Sequence, residues 1–484
     1  MEFKDYPNIY AMLTETVEKR RDTPAYRWFE EPGKLRSVTW EQFRQQVEQA
    51  ARSLLALGIE HGDKINILSY TCYPWVLMDF AITSIGAVTV GIYQSNLPKD
   101  CGYIINHSDA VLIFVENEEQ LQKVLEIRKE IPNIRKVVMF YGTPPEDDWV
   151  ISLEEFLKLG QGISEAAFRE RAAAVKPEDV AGIVYTSGTT GLPKGAMLTH
   201  DNICFTCQSV LMSTDIQPGD ETILFLPLAH VFARIIVYAT MLGGCTLSFA
   251  RSIEAVAEDI RVVRPTWFAS VPRIYEKVHT KVVGSVESKG GLALKLFNWA
   301  LKVGLQVSDR KLNKQPIPAG LRWKYKLATK LVFGKIQAAL GGRVRWCISG
   351  AAPLNPDIAR FFHAAGILIL EGIGMTENTS FSHVNRYDNY RFGWVGLPGP
   401  GIECKTAEDG EVLIRGRNVM KGYYKMPEET ARAIDKEGWL HTGDVGEIDE
   451  EGFLRITGRK KELIITAGGK NIAPAPIEGL IATS

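Results

Sequence analysis

Apolar residues recur at helical spacing near the start of the chain and then give way to short apolar runs. Within residues 37–87, a helix ending at Gly58 is predicted by the apolar positions Trp40, Phe43, Val47, Ala50, Leu54 and Leu55. The run KINILSY at 64–70 predicts a strand, and a second helix precedes the apolar run AVTVGIY at 87–93. The order strand, helix, strand is typical of a parallel sheet with crossover helices.

The same rhythm of short apolar runs continues through most of the chain. Further strands are predicted at residues 110–115, 136–140, 182–186, 221–226, 245–249, 267–271, 344–349 and 368–370. From about residue 396 the runs are shorter and lie between DG, EG and GR turns, which favours hairpins. The predicted fold class is therefore α/β, with two α/β subdomains that contain crossover helices and a small β-rich subdomain.

Composition and charge exclude several classes of protein. The chain has 484 residues, of which 45% are hydrophobic, and its 56 Lys and Arg against 57 Asp and Glu leave a net charge of -1. These values exclude disordered, collagen-like and coiled-coil proteins and argue against nucleic acid as a partner. The N-terminal sequence MEFKDYPNIYAML lacks the features of a signal peptide, so we expect a cytoplasmic protein.

Two regions bear on contact with a membrane. The apolar stretch 75–93 approaches the length of a membrane span, but its central Asp79 and two glycines favour a buried helix, a turn and a buried strand. Residues 281–345 contain fourteen Lys and Arg but only two acids, Glu287 and Asp309. An amphipathic helix on an anionic membrane surface fits this region, and so does a helix packed on its own domain with a solvated basic face.

The strongest chemical signal is the loop YTSGTTGLPKG at 185–195, which directly follows an apolar run. Its glycines expose backbone N–H groups, its Ser and Thr side chains add hydroxyl groups, and Lys194 supplies a positive charge. Such a loop after a buried strand is suited to wrap and neutralise phosphate oxygens. It differs from the P-loop of strand-associated NTPases, whose pattern GxxxxGK[ST] requires a glycine where Pro193 stands.

Five further motifs follow in order along the chain. They are FLPLAHVF at 225–232, SGAAPL at 349–354, EGIGMTEN at 371–378, HTGDVG at 441–446 and TGRKKELIITAGGKNIAP at 457–474. With the phosphate loop, these motifs resemble those of the adenylate-forming superfamily, which comprises acyl- and aryl-CoA synthetases, luciferases and peptide-synthetase adenylation domains. The forms LPLAHVF and ITAGGKNIAP are most similar to the long-chain fatty acyl-CoA synthetase branch.

This resemblance implies a fatty acid–CoA ligase that uses ATP, Mg²⁺ and coenzyme A and forms an acyl-adenylate and pyrophosphate before the thioester. It implies catalytic roles for Lys194, Thr376, Glu377 and His230. Thr186 and Glu377 are the implied ligands of Mg²⁺, which prefers oxygen donors. The implied nucleotide contacts are Thr186, Ser187, Gly188, Thr189, Thr190, Gly191, Gly350, Ala351, Ala352, Glu371, Gly372, Ile373, Gly374, Met375, Asp444 and Arg459.

Single roles within this set also come from the resemblance. Thr376 is expected to contact the α-phosphate. Asp444 is expected to accept hydrogen bonds from both ribose hydroxyls, and Arg459 to donate a hydrogen bond from the other side. His230 is expected beside the acyl carboxylate, where an imidazole can donate a hydrogen bond. The chain departs from the family at Ile373, where an aromatic ring commonly stacks on adenine. Because isoleucine lacks this stacking, worth about 1 kcal/mol, we expect weaker ATP binding.

The resemblance further implies a large N-terminal domain, residues 1–460, and a small C-terminal domain that rotates about a hinge at Lys461. Gly468 and Gly469 are expected to line the path of the CoA pantetheine. Residues 461–484 are expected to hold only the hinge and the beginning of a truncated C-terminal domain. We therefore expect this form to bind ATP but to synthesise acyl-CoA poorly.

Two other functions remain open at this point. One is an acyl-AMP ligase that passes the acyl group to the phosphopantetheine thiol of a carrier protein. The other is a non-catalytic protein that binds nucleotide or acyl groups. Product analysis separates the first alternative from a CoA ligase, because only a CoA ligase yields acyl-CoA.

Overall fold

The structure is a computed structural model that describes residues 2–186 and 191–460, together with the backbone of residues 464–465 and 471–472. Several predicted site residues lie outside this described part of the chain: Ser187, Gly188, Thr189, Thr190, Lys461, Gly468 and Gly469.

The α-helices are α1 (Ile9–Arg20), α2 (Trp40–Ala56), α3 (Tyr73–Ser84), α4 (Pro98–His107), α5 (Glu118–Glu126), α6 (Leu153–Leu159), α7 (Glu165–Ala173), α8 (His200–Ser213), α9 (Val231–Gly243), α10 (Val256–Val263), α11 (Pro272–Lys289), α12 (Gly291–Leu312), α13 (Ala319–Ala328), α14 (Gly334–Ala339), α15 (Pro356–Ala364) and α16 (Pro427–Ala433). The strands are β1 (Pro24–Glu31), β2 (Lys34–Thr39), β3 (Lys64–Leu68), β4 (Val88–Ile92), β5 (Ala110–Val115), β6 (Lys136–Met139), β7 (Val150–Ser152), β8 (Val180–Thr186), β9 (Lys194–Thr199), β10 (Glu221–Leu224), β11 (Thr246–Phe249), β12 (Trp267–Ser270), β13 (Trp346–Ser349), β14 (Leu368–Ile373), β15 (His383–Val384), β16 (Leu397–Pro398), β17 (Glu403–Thr406), β18 (Glu411–Arg415), β19 (Gly422–Tyr423), β20 (Leu440–Ile448), β21 (Leu454–Arg459), β22 (Ile464–Ile465) and β23 (Asn471–Ile472).

The first sheet contains, among the described residues, eight strands in the order β19-β9-β8-β4-β3-β5-β6-β7. The strands from β8 to β7 pair in parallel, whereas β9 pairs antiparallel with both β8 and β19. All five residues of β4 are buried, as expected for a parallel strand that is covered on both faces. Continuous apolar runs therefore marked these strands in the sequence.

The second sheet consists of two groups of strands that meet edge to edge. One group has the order β10-β11-β1-β2, and the other has the order β12-β13-β14-β15-β16. The backbone N–H of Thr266, next to β12, donates to the carbonyl oxygen of Glu221 on β10 at 2.8 Å. Strands β13 and β14 are parallel, so their carboxyl ends lie side by side. The motifs SGAAPL and EGIGMTEN continue the chain from these two ends.

The third sheet is antiparallel throughout, with the order β17-β18-β20-β21. Its strands lie between 403 and 459, the part of the chain whose turn signals predicted hairpins. The two α/β regions and this small antiparallel sheet together confirm the predicted α/β fold class.

Helix α3 lies in the core, and all of its residues are buried. Gly86 then turns the chain into β4 with a φ of +75°, a left-handed conformation that suits glycine. The predicted buried helix, turn and buried strand are thus confirmed. Among the described residues, no helix combines the length and the apolar character that are needed to cross a membrane.

Candidate active site

The motifs of both large sheets lie at the ends of strands. Strand β8 ends at Thr186, and β9 begins at Lys194 after the phosphate loop. Strands β13 and β14 end at Ser349 and Ile373, so the loops that follow them leave the same edge of the second sheet. In open α/β sheets, ligands bind at such carboxyl ends of strands.

Helix α4 holds both ends of the phosphate loop. The Oη of Tyr185 lies 2.7 Å from Nδ1 of His107, and the Oη of Tyr103 donates to the carbonyl oxygen of Pro193 at 3.0 Å. Gly191, the first described residue after the gap, is exposed to solvent. Helix α4 therefore holds the two described ends of the loop.

Tyr423 connects the residues predicted to bind the phosphates and the metal ion. Its Oη donates to Oε1 of Glu377 at 2.6 Å, and its ring centroid lies 5.2 Å from Nζ of Lys194. The ammonium of Lys194 also forms an ion pair with Glu429. Oγ1 of Thr186 lies 3.5 Å from the carbonyl oxygen of Lys194. The structure thus connects Thr186 and Lys194, which pair across β8 and β9, with Glu377 in the turn after β14, and Tyr423 makes the connection.

The donor set at this place fits Mg²⁺. Thr186 and Glu377 supply a hydroxyl and a carboxylate, and Mg²⁺ is usually bound by one or two carboxylates together with substrate phosphates and water. Tyr423 donates to Oε1 of Glu377, and among the described residues no side chain donates to Oε2, so Oε2 can face a cation. Within the described ranges, no group of three or more His, Cys, Asp or Glu side chains could hold a metal ion.

The two loops after β13 and β14 approach other parts of the chain closely. A Cβ on Gly374 would lie 2.0 Å from the carbonyl oxygen of Ser380, so only glycine fits there. A Cβ on Gly350 would lie 3.2 Å from the ring of Phe232, and Ala351 has a φ of +68°. The predicted nucleotide residues Gly350, Ala351, Gly372, Ile373 and Gly374 line one cavity. Ala352 is exposed, Met375 is half-buried, and Thr376 opens a buried 3₁₀ turn, Thr376–Asn378.

Glu371 lies beneath these loops. Its carboxylate accepts hydrogen bonds from the backbone N–H groups of Leu354, at 3.4 Å, and Gly393, at 2.9 Å. Burial raises the pKa of this carboxyl to about 7. Glu371 is therefore bound by backbone groups of two loops, one of which contains the SGAAPL motif.

The same cavity is mostly apolar and has His230 in its wall. Its lining also includes Ile235, Ile236 and Trp267. Nδ1 of His230 accepts the backbone N–H of Phe232 at 3.1 Å, and burial lowers the pKa of this imidazole. The neutral imidazole consequently carries its proton on Nε2, which makes Nε2 the hydrogen-bond donor.

Asp444 and Arg459 face each other across the antiparallel pair β20 and β21. Nε of Arg459 lies 2.8 Å from Oδ1 of Asp444, and the arginine side chain is 60% exposed while the aspartate is 8% exposed. The two predicted ribose-binding residues are thus adjacent, with the carboxylate buried and the guanidinium open to solvent.

Sequence reasoning missed three residues of this site: Phe232, Tyr423 and Glu429. Phe232 belongs to the FLPLAHVF motif, so its proximity to the motif histidine was a usable signal. Tyr423 and Glu429 lie in the segment KGYYKMPEET, at 421–430, where no periodicity or spacing indicates a contact with the phosphate loop.

The chain is similar in sequence to known proteins. The sequence model of the AMP-binding enzyme family matches residues 13–424. The chain is 36% identical over 478 residues to the long-chain-fatty-acid–CoA ligase FadD15 of Mycobacterium bovis, covering 98% of the chain and 78% of that relative. It is 35% identical over 491 residues to the long-chain-fatty-acid–CoA ligase ACSBG2 of Xenopus laevis, covering 98% and 66%.

Two solved structures show that the fold is a known one. A fatty acyl CoA synthetase of Mycobacterium tuberculosis aligns with a TM-score of 0.71 at 23% identity, covering 99% of this chain and 83% of the other. The anthranilate CoA ligase AuaEII, in complex with anthranoyl-AMP, aligns with a TM-score of 0.77 at 22% identity and the same coverage. At these identities the likeness establishes the fold alone.

Proposed function

The chain belongs to the family of AMP-binding enzymes, and we propose that it activates a long-chain fatty acid with ATP and transfers the acyl group to coenzyme A. The reaction passes through an acyl-adenylate and releases AMP and pyrophosphate. One observation carries the proposal: the cluster of Thr186, Lys194 and Glu377 lies at strand ends whose neighbouring loops line an apolar cavity with His230 in its wall. This arrangement joins a phosphate site to an acyl site.

The adenylation step needs charge neutralisation and alignment of the two reactants. Lys194 places its ammonium against the β- and γ-phosphates, and Thr186 and Glu377 would hold the Mg²⁺ that accompanies ATP. Mg²⁺ held there would add to the neutralisation of phosphate charge. The Thr376 hydroxyl binds the α-phosphate, while Asp444 and Arg459 hold the ribose.

The fatty acid occupies the apolar cavity with its carboxylate towards the phosphates. The Nε2–H of His230 donates to this carboxylate and orients it for in-line attack on the α-phosphorus. The backbone of Gly350 and Ala351 and the side chain of Ile373 receive the adenine. Because isoleucine offers an apolar face without aromatic stacking, ATP affinity is lower than with an aromatic residue by about 1 kcal/mol.

The thioester step involves residues outside the described part of the chain. Lys461 is the hinge of the domain rotation in this proposal, and Gly468 and Gly469 line the pantetheine path. CoA then attacks the acyl-adenylate and displaces AMP.

Product analysis tests this function. Purified protein is incubated with palmitate, ATP, Mg²⁺ and CoA, and pyrophosphate, AMP and acyl-CoA are quantified by coupled assay and mass spectrometry. The Lys194→Met variant should lose most pyrophosphate release, whereas Lys421→Met, a control whose exposed side chain donates to the carbonyl oxygen of Glu178, should retain it. Pyrophosphate release without acyl-CoA, but with transfer to a holo-carrier protein, would favour the acyl-AMP ligase; no release at all would refute the proposal.

We further propose that the enzyme works in the cytoplasm and contacts anionic membranes through the basic region 281–345. Helix α13 packs inwards through Ala328 and the half-buried Tyr325. Trp323, 66% exposed, lies beside the exposed bases Arg322 and Lys324 on its outer side. An aromatic side chain among bases suits the interface of an anionic bilayer.

Liposome flotation tests this contact. Vesicles with 30% anionic lipid should bind the protein at low salt and release it as ionic strength rises, because salt screens exposed charges. Trp323→Ala should weaken binding, whereas Leu192→Ala, which removes an exposed apolar side chain elsewhere, should not. Absence of binding at low salt would refute the contact.

A further inference from the structure

Tyr423 and Glu429 contact the ATP site, although no motif and no step of the proposed mechanism uses them. Tyr423 ends strand β19, whose backbone pairs with β9 beside the phosphate loop. The backbone N–H of Tyr424 donates to the carbonyl oxygen of Gly195 at 2.8 Å. This pairing fixes the ring of Tyr423 next to Lys194.

The phenol of Tyr423 sets the position of the Glu377 carboxylate. Both side chains belong to residues that are only 8% exposed, and the hydrogen bond between them measures 2.6 Å. Hydrogen bonds to an ionised carboxylate are stronger than those between neutral groups. Since only Oε1 takes part, the contact fixes the rotamer of Glu377 and leaves Oε2 for a cation.

Glu429 occupies the ammonium of Lys194. The two side chains are 30% and 31% exposed, and Glu429 also pairs with Arg432 at 2.5 Å. Helix α16, which carries Glu429, is attached to β19 because the N–H of Tyr423 donates to Oγ1 of Thr430 at 2.8 Å. Phosphate oxygens that reach Lys194 must therefore replace a carboxylate that is already held in place.

Building on the proposed function, we propose that Tyr423 and Glu429 are positioning residues of the ATP site. Tyr423 orients Glu377 for the cation that accompanies the phosphates. Glu429 keeps Lys194 in place as an internal anion and yields to the phosphates of ATP or to pyrophosphate. The Glu429 carboxylate thus competes with these anions for Lys194, so its removal should strengthen their binding.

Calorimetric titration with magnesium pyrophosphate measures both effects without catalysis. Glu429→Gln should bind pyrophosphate about two- to fivefold more tightly than wild type, the range expected from the loss of a partly exposed ion pair. Glu428→Gln is the matched control, because Glu428 is the neighbouring acid, is 88% exposed and does not pair with Lys194. Tyr423→Phe should require about tenfold more Mg²⁺ for half-saturation, with pyrophosphate affinity restored at saturating Mg²⁺.

Each half of the proposal has a result that overturns it. Equal pyrophosphate affinity in Glu429→Gln and Glu428→Gln would remove the role of Glu429. An unchanged Mg²⁺ requirement in Tyr423→Phe, with a wild-type melting temperature, would remove the role of Tyr423. A wild-type chain that binds neither ATP nor pyrophosphate would instead refute the proposed function. Failure of the proposed function is thus distinguished from failure of the roles of Tyr423 and Glu429.

Discussion

Replacement of Asp79 by asparagine removes the charge from a buried ion pair between the two helices α3 and α9. Oδ1 of Asp79 accepts Nη2–H of Arg234 at 2.6 Å, and Oδ2 accepts the phenol of Tyr238 at 2.6 Å. Both side chains of the ion pair are 3% exposed. Although burial opposes the charge of Arg234, the carboxylate of Asp79 keeps the pKa of the guanidinium above its ordinary value.

The expected loss of stability is large because the variant leaves a buried positive charge without a counter-charge. Breaking a buried pair by removing one partner costs about 3–5 kcal/mol, whereas replacing both partners by apolar residues of similar volume is often close to neutral. Asparagine still accepts hydrogen bonds, so we expect Asp79→Asn to lose about 3 kcal/mol. The double variant Asp79→Leu with Arg234→Met should recover most of this loss.

Urea unfolding, followed by tryptophan fluorescence, measures the effect as a shift of the midpoint. The control is Glu403→Gln, which breaks an exposed pair with Arg415 in which the glutamate is 59% exposed. Exposed pairs contribute about 0–1 kcal/mol, so the control should stay close to wild type. The reasoning is refuted if Asp79→Asn unfolds at the same midpoint as the control, or if the double variant is less stable than the single one.

Three other variants test the site. Burial raises the pKa of Glu371 to about 7 from an ordinary value of 4.5, so the folded chain favours the protonated acid and loses stability as the pH rises from about 4.5 to 7. Thermal unfolding across this range should show Glu371→Gln gaining stability relative to wild type and keeping the gain above pH 7. His230→Ala should raise the KM for the fatty acid about tenfold by removing a donor to a carboxylate, with pyrophosphate binding unchanged by calorimetry. Gly374→Ala should lower the melting temperature strongly because its Cβ would meet the carbonyl of Ser380, whereas Gly320→Ala, with open space around it on a helix, should not.

The strands were predictable wherever burial made a continuous apolar run. Strand β5 was predicted at 110–115 and has the bounds Ala110–Val115, with five of its six residues buried. The hairpin of β1 and β2 escaped prediction because its two strands mix charged and apolar residues. Only one residue of β2 is buried, so neither a run nor a clean alternation marked it.

The candidate site was predictable as a set of motifs but not as a set of contacts. Motifs name residues that lie close in sequence, such as those of the phosphate loop. The contacts of Tyr423 with Glu377 and of Glu429 with Lys194 join residues 46 and 235 positions apart. Such pairs depend on how the two sheets approach each other, and no local periodicity carries that information.

One short segment, 418–424, forms hydrogen bonds with both sides of the site. On one side, the backbone N–H of Met420 donates to the carbonyl oxygen of Glu377 at 2.8 Å. On the other side, the N–H of Lys421 donates to the carbonyl oxygen of Met197 on β9 at 3.0 Å. Successive residues of one short segment thus bond to the turn that carries Glu377 and to the strand that begins at Lys194. Because Tyr423 of the same segment also donates to the Glu377 carboxylate, this segment links the two sides of the candidate site through both its backbone and a side chain.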